Sequence, residues 1–216
     1  MALYTLKEES GTSNGPTTAD GLKIGHLNAN GIVSKTKKTK SNGDYQDDDI
    51  RSWIQAFDVF VVSETKLTES QKATASNGKT IDDVTPKGYT RAALENRKAG
   101  IGGGVATYVK DCWEYENVSQ GSFNLNKELK RVAAGDHPCQ YVHGVIKRKI
   151  RGGKWYNLKT AIDIVGMYIP SKAPCRKETL RHLLENLEGN PENVVVLGDV
   201  NIDEFDHEHL SEFSIS

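Results

Sequence analysis

Asp199 and Asn201 stand two residues apart, directly after the aliphatic run Val194-Val-Val-Leu197 and Gly198. Side chains two apart on an extended chain point the same way, so a carboxylate and a carboxamide would emerge together from the carboxyl end of a buried strand. An aspartate enclosed there without partners would cost several kcal/mol, so it must reach solvent or meet a cation or hydrogen-bond donors. The local pattern leaves two readings open: such a site, or a turn in which Asp and Asn bond their own backbone. Asn28-Ala-Asn30-Gly31 has the same ambiguity, being either two amides delivered at a strand end or an Asn-Gly turn. Glu64 follows the β-forming segment Phe57–Ser63, and Tyr168 closes the apolar segment Ala161–Ile169, where it would present a phenol.

These groups serve one site only if several strands end on one rim. Leu22 to Leu27 alternates as a strand should. Ile50, Trp53, Ile54 and Phe57 recur at helical spacing after the acidic cluster Asp47-Asp-Asp49, which predicts a helix from about Asp48 to Ala56. Strand, helix and strand between Leu22 and Ser63 form a unit that aligns two parallel strands and places Asn28 and Glu64 on a common rim, where open sheets bind ligands. A second helix is expected from Arg176 to Glu188, with Leu180, Leu183, Leu184 and Leu187 as its apolar face. The cluster Gly102-Gly-Gly104 opens strand material, Val105 to Val109, rather than a helix, which argues against a phosphate-cradling loop and for tight packing or a bend. Gly88 to Ala93 reads as a short strand, and Tyr141 to Tyr156 as a hairpin about Gly152-Gly153 that is separate from the strand at 161–169. Residues 68–87 read as loop with room for one short helix, 113–137 show no clear pattern, and 1–20 read as a flexible tail before a domain over 21–216.

Composition narrows the function classes. The chain has 216 residues, of which 37% are hydrophobic, and its 28 basic residues nearly balance 29 acidic ones. That suits one large soluble domain and does not advertise nucleic-acid binding overall, although the run Lys35-Thr-Lys37-Lys38 could touch phosphates from an active-site rim. No apolar run approaches the roughly 20 residues of a membrane span, and no secretory leader is evident. Three widely spaced cysteines, Cys112, Cys139 and Cys175, fit reduced thiols in an intracellular compartment, cytoplasm or nucleus. The glycosylation pattern at Asn117-Val-Ser119 reads as chance without a secretory route.

Five segments then carry a resemblance: Leu27–Gly31, Val62–Lys66, Gly102–Val109, Tyr168-Ile-Pro170 and Leu197–Asn201. In this order and spacing they resemble the successive motifs of the endonuclease/exonuclease/phosphatase superfamily, and most of all the apurinic-type endonuclease domains of LINE retrotransposons. The resemblance implies an α/β fold, a two-sheet sandwich with outer helices like that of deoxyribonuclease, and hydrolysis of DNA phosphodiesters. By motif, Glu64, Asn28 and Asn30 would form the site of a hard divalent cation, Mg²⁺ with Mn²⁺ as the alternative. Tyr168 would bond a phosphate oxygen, and Asp199 and Asn201, with Asn28, would orient the attacking water and stabilise developing charge. Asn30 stands where apurinic repair enzymes carry a carboxylate, which makes it a weaker ligand. DNA is the implied partner, no membrane is involved, and the implied setting is a polyprotein with a reverse transcriptase.

The sequence departs from the family at its end. Such domains finish on a Ser-Asp-His strand, whereas here Ser216 comes 15 residues after Asn201, and His207 and His209 follow too closely to be that element. The expectation is therefore a truncated or degenerate copy lacking its last strands. Another phosphoesterase of the superfamily, and a silent remnant that at most binds nucleic acid, stay open beside a nicking domain.

Overall fold

The computed structural model describes residues 2–6, 22–36, 42–67, 84–96, 103–124, 138–173, 176–186 and 193–202. Among these residues nine strands form two sheets. The first comprises β1 (Ala2–Leu6), β2 (Leu22–Asn28), β3 (Val59–Ser63), β4 (Tyr89–Glu95) and β5 (Val105–Lys110), in the order β1-β2-β3-β5-β4. The second comprises β6 (Trp113–Phe123), β7 (Cys139–Arg151), β8 (Lys154–Tyr168) and β9 (Val194–Asp199), in that order.

Alternation of side chains along these strands builds three apolar layers. Ile24, Val59, Val61, Val105 and Val109 of the first sheet meet Trp113, Val142, Ile146, Ile164 and Leu197 of the second. The opposite face of the first sheet, with Phe60, Val62 and Tyr108, is covered by α1 (Ile50–Gln55) through Ile50 and Ile54. The opposite face of the second, with Val165 and Met167, is covered by α2 (Arg176–Glu185) through Leu180 and Leu183. The result is two sheets face to face with helices outside, as the resemblance implies. No helix among the described residues is long and apolar enough to cross a membrane.

One parallel pair lies in each sheet. β2 runs parallel to β3 across the α1 crossover, with Asn28 opposite Ser63. Likewise β8 runs parallel to β9 across α2, with Tyr168 opposite Asp199. All other pairings are antiparallel. Asp49 caps α1 by accepting from the Arg51 N–H, so the acidic cluster opens the helix as its charge suggests, though the helix is shorter than the periodicity.

Several expectations are corrected. Ala2–Leu6 is not tail but an antiparallel partner of β2. The patternless 113–137 begins with the eleven-residue strand β6, whose two bulges, near Glu114/Tyr115 and Asn117/Ser119, break the alternation that would have revealed it. The hairpin arm at Trp155–Tyr156 and the segment at 161–169 are one continuous strand, β8. Residues 68–83, most of 113–137 beyond Asn124, Leu187, Cys175, His207 and His209 lie outside the described residues, while Cys112 and Cys139 are free thiols.

Candidate active site

The carboxyl ends of β2, β3, β8 and β9 meet on one rim, and two hydrogen bonds cross there from sheet to sheet. Asn28 Nδ2 donates to Asp199 Oδ2 at 2.6 Å, and the Tyr168 hydroxyl donates to Glu64 Oε1 at 2.8 Å. Residues 171 and 104 positions apart in the chain are thereby joined. Asn28 is exposed, Tyr168 is buried, and Glu64, Asp199 and Asn201 are half-buried, so the floor is enclosed and the mouth open.

Each group is held by the local backbone. The Asn30 N–H donates to Asn28 Oδ1 at 3.0 Å, which turns the Asn28 amide nitrogen towards Asp199. Asp199 Oδ1 accepts from the Asn201 N–H at 3.2 Å, and Asn201 Nδ2 donates to the Ile169 carbonyl at 2.9 Å. The turns are present, since Asp199 and Asn28 each bond the backbone two residues on, and the same turns aim their remaining atoms across the rim.

Beyond the strand ends the β2–β3 ladder continues irregularly, with Gly31 N–H on the Glu64 carbonyl at 2.7 Å and Ile32 N–H on that of Thr65 at 3.0 Å. On the other side, Thr65 and Lys66 donate their N–H groups to the carbonyls of Gly104 and Gly103, at 3.1 and 2.8 Å. The glycine cluster therefore receives the segment that carries Glu64. Glycine is required at 103, where φ is +117° and a Cβ would lie 2.0 Å from Gln140 Oε1. That Gln140 carboxamide accepts from Gly104 N–H and donates to the Asn96 carbonyl, both at 2.7 Å.

Backbone strain is concentrated here. Among the described residues the non-glycine positions with positive φ are Asn30 (46°), Glu64 (52°), Lys66 (55°) and Asn201 (49°), all on this rim. Such conformations persist only where surroundings enforce them, and they cluster at functional sites.

The electrostatics follow from burial and proximity. Burial first, then the hydrogen bond and charge of Glu64 and the charge of Asp199, push the Tyr168 phenol well above its ordinary range, so it keeps its proton. Both carboxylates therefore act on one hydroxyl. Behind Asn28 on β2, His26 Nε2 lies 2.9 Å from Ser63 Oγ. Burial holds that imidazole down to about 4 against the opposing pull of Asp199, so it is neutral near pH 7.

The structure brings Asn28, Glu64, Tyr168, Asp199 and Asn201 together on this rim. Asn30 is present, but its side-chain oxygen accepts from the Lys66 ammonium, and it is not joined to Glu64 or Asp199. Lys66 is a rim residue that the reading of strand ends passed over; its place two residues after Glu64 was the available signal. Lys35 is exposed at the end of a 3₁₀ turn, Ile32–Lys35, whereas Lys37 and Lys38 lie outside the described residues.

Comparison with solved structures finds truncated TDP2 of Caenorhabditis elegans at 11% identity and a TM-score of 0.39, covering 77% of this chain and 56% of that one. Selenomethionine TDP2 of the same organism matches at 11% identity and 0.39, covering 77% and 43%. The chain thus spans about half the length of these structures. No match is found among curated proteins. The family model described as endonuclease/exonuclease/phosphatase family matches residues 25–211, which include every strand from β3 to β9 and Asn28, Glu64, Tyr168, Asp199 and Asn201 of the rim. With so much of its length matched, the chain belongs to the endonuclease/exonuclease/phosphatase family.

Proposed function

We propose that this chain is a divalent-metal-dependent phosphodiesterase that nicks DNA, acting as the endonuclease domain of a retroelement whose polyprotein also carries a reverse transcriptase. The observation that carries this reading is the pair of cross-sheet bonds, Asn28 to Asp199 and Tyr168 to Glu64, which gathers two carboxylates, an amide and a phenol on one open rim.

The donor chemistry fits a hard cation. Mg²⁺ is commonly held by one or two carboxylates while keeping several waters, so Glu64 with the Asn28 amide oxygen suffices without a cage of acidic residues. Among the described residues no cluster of three or more His, Cys, Asp or Glu is placed to hold a metal. Asn30, engaged by Lys66, is left out of this ligand set. A cation bound there supplies Lewis-acid polarisation of the scissile phosphate.

The chain's own groups do the rest. Asp199, fixed at one oxygen by Asn28 and at the other by the Asn201 backbone, orients the attacking water and accepts its proton. Tyr168 stays protonated and donates to a phosphate oxygen as negative charge grows there. Asn201 fixes the Asp199 turn through the Ile169 carbonyl. Lys35, at the end of the 3₁₀ turn that follows Asn30 and Gly31, meets the DNA backbone.

Nicking of supercoiled plasmid tests the reading. Relaxed circles should form with Mg²⁺ and not with EDTA, and Glu64→Ala or Asp199→Ala should slow nicking by about 10²-fold or more. Hydrolysis of a phospholipid or a small phosphate ester in preference to plasmid would replace DNA as the substrate. Absence of hydrolysis on all three substrates would make the chain a silent remnant.

A further inference from the structure

Trp155 and Tyr156 are the large hydrophobic side chains that stand exposed among the described residues, at 48% and 53%. Both lie at the tip of the β7–β8 hairpin, at the opposite end of β8 from Tyr168 and roughly 40 Å away by strand rise. There β8 pairs with β9 only from Asp163 to Tyr168, so both rings lie beyond the end of β9, while β6 follows β7 as far as Lys149, opposite Tyr156.

The tip is also cationic. Lys147, Arg148, Lys149, Arg151 and Lys154 occur within ten residues that include no acid. Glu116 and Glu114 of β6 neutralise Lys147 and Arg148, which leaves a surplus of positive charge around the two rings. Arg148, held by Glu114 Oε1 at 2.6 Å, places its guanidinium 5.6 Å from the Trp155 ring centre. The indole is thus braced from behind rather than loose. Lys149 sits 4.5 Å over the buried Trp113 ring, while Lys154 is exposed.

Exposed aromatic faces set among cations are how proteins hold single-stranded nucleic acid, because every unpaired base has a face to stack and every nucleotide a phosphate. A duplex hides its base faces and would leave the rings unused. As neighbours on a strand, Trp155 and Tyr156 face opposite sides, so a chain passing over the tip meets one ring on each.

We propose that the β7–β8 hairpin tip is a docking site for single-stranded nucleic acid, with Trp155 and Tyr156 stacking on bases and Lys149 and Lys154 meeting phosphates. This site is independent of hydrolysis at the rim. The test is fluorescence anisotropy of a labelled 20-nucleotide single strand with the whole chain in EDTA. Trp155→Ala/Tyr156→Ala should weaken binding at least about 25-fold, each stacked ring being worth roughly fivefold or more. Lys154→Gln should lower the slope of log affinity against log salt by about 0.7. Lys87→Gln, at an exposed lysine beside α1, should bind like the parent, whatever the plasmid assay gives, and circular dichroism should find the surface variants folded. Unchanged affinity in the double variant would overturn the proposal, as would an equal loss of binding in Lys87→Gln. Complete displacement of the oligonucleotide by equal charge of poly-glutamate would overturn it too, because it would mark an acidic-peptide surface.

Discussion

Glu64 joins the two sheets while sitting at φ +52°, and that conformation has a measurable cost. In the left-handed region a Cβ crowds the following carbonyl by roughly 1–2 kcal/mol. Glu64→Ala removes the carboxylate and keeps the Cβ; Glu64→Gly removes both. Each variant loses the same bond from Tyr168, so comparing them isolates the backbone. Glycine gives back about 0.5–1 kcal/mol through the greater freedom of its unfolded chain. Glu64→Gly should therefore be the more stable of the two by about 0.5–1 kcal/mol, or roughly 1–4 °C in Tm for a domain of this size. Urea unfolding followed by tryptophan fluorescence in EDTA measures the difference, provided the two transitions share one slope. Equal stability, or greater stability of the alanine variant, would refute the left-handed geometry on which the aim of the Glu64 carboxylate depends.

Two further outcomes follow from neighbouring residues. The folded-state pKa of His26 lies below its ordinary 6.5, at about 4, so between those values the unfolded chain takes up a proton that the folded chain refuses. Stability should be full above about pH 6.5 and fall by up to roughly 3 kcal/mol as pH drops towards 4. His26→Asn should flatten that decline in urea unfolding across the range, and an identical decline in the variant would contradict the assignment. Gly103→Ala forces a Cβ to within 2.0 Å of Gln140 Oε1 and 3.1 Å of the Tyr168 ring at a φ that disfavours side chains. It should cost at least about 2 kcal/mol in the same assay, and a neutral result would mean that the glycine cluster is not packed against Gln140.

Much of this arrangement was legible in the sequence because it rests on short-range rules. Periodicity marked α1 and the leucine face of α2, β-branched runs marked β3 and β9, and the crossover between Leu22 and Ser63 implied a parallel pair ending on one rim. The glycines were read as opening strand material, and β5 does follow Gly103 and Gly104. What the cluster does could not be read, since its work is to accept N–H groups from Thr65 and Lys66, nearly 40 residues earlier. The partners of the rim were hidden for the same reason. Nothing local tells Asn28 that it will donate to Asp199, and only the packing of one sheet on the other does so. β6 escaped notice because bulges and half-exposed polar residues erase a two-residue period. The strain at Asn30, Glu64, Lys66 and Asn201 was likewise illegible, for only asparagine among these types favours positive φ by itself.

The central claim is that residues from both sheets form one site for a cation and a phosphate. Its most direct test is the titration of Mn²⁺ into the chain, followed by electron paramagnetic resonance, with Glu64→Ala on the first sheet, Asp199→Ala on the second and Asn30→Ala as a rim control. One ion per chain should bind, tenfold or more weakly in Glu64→Ala, measurably more weakly in Asp199→Ala through loss of charge and of the hold on Asn28, and unchanged in Asn30→Ala. Binding that ignores both carboxylates would contradict the account.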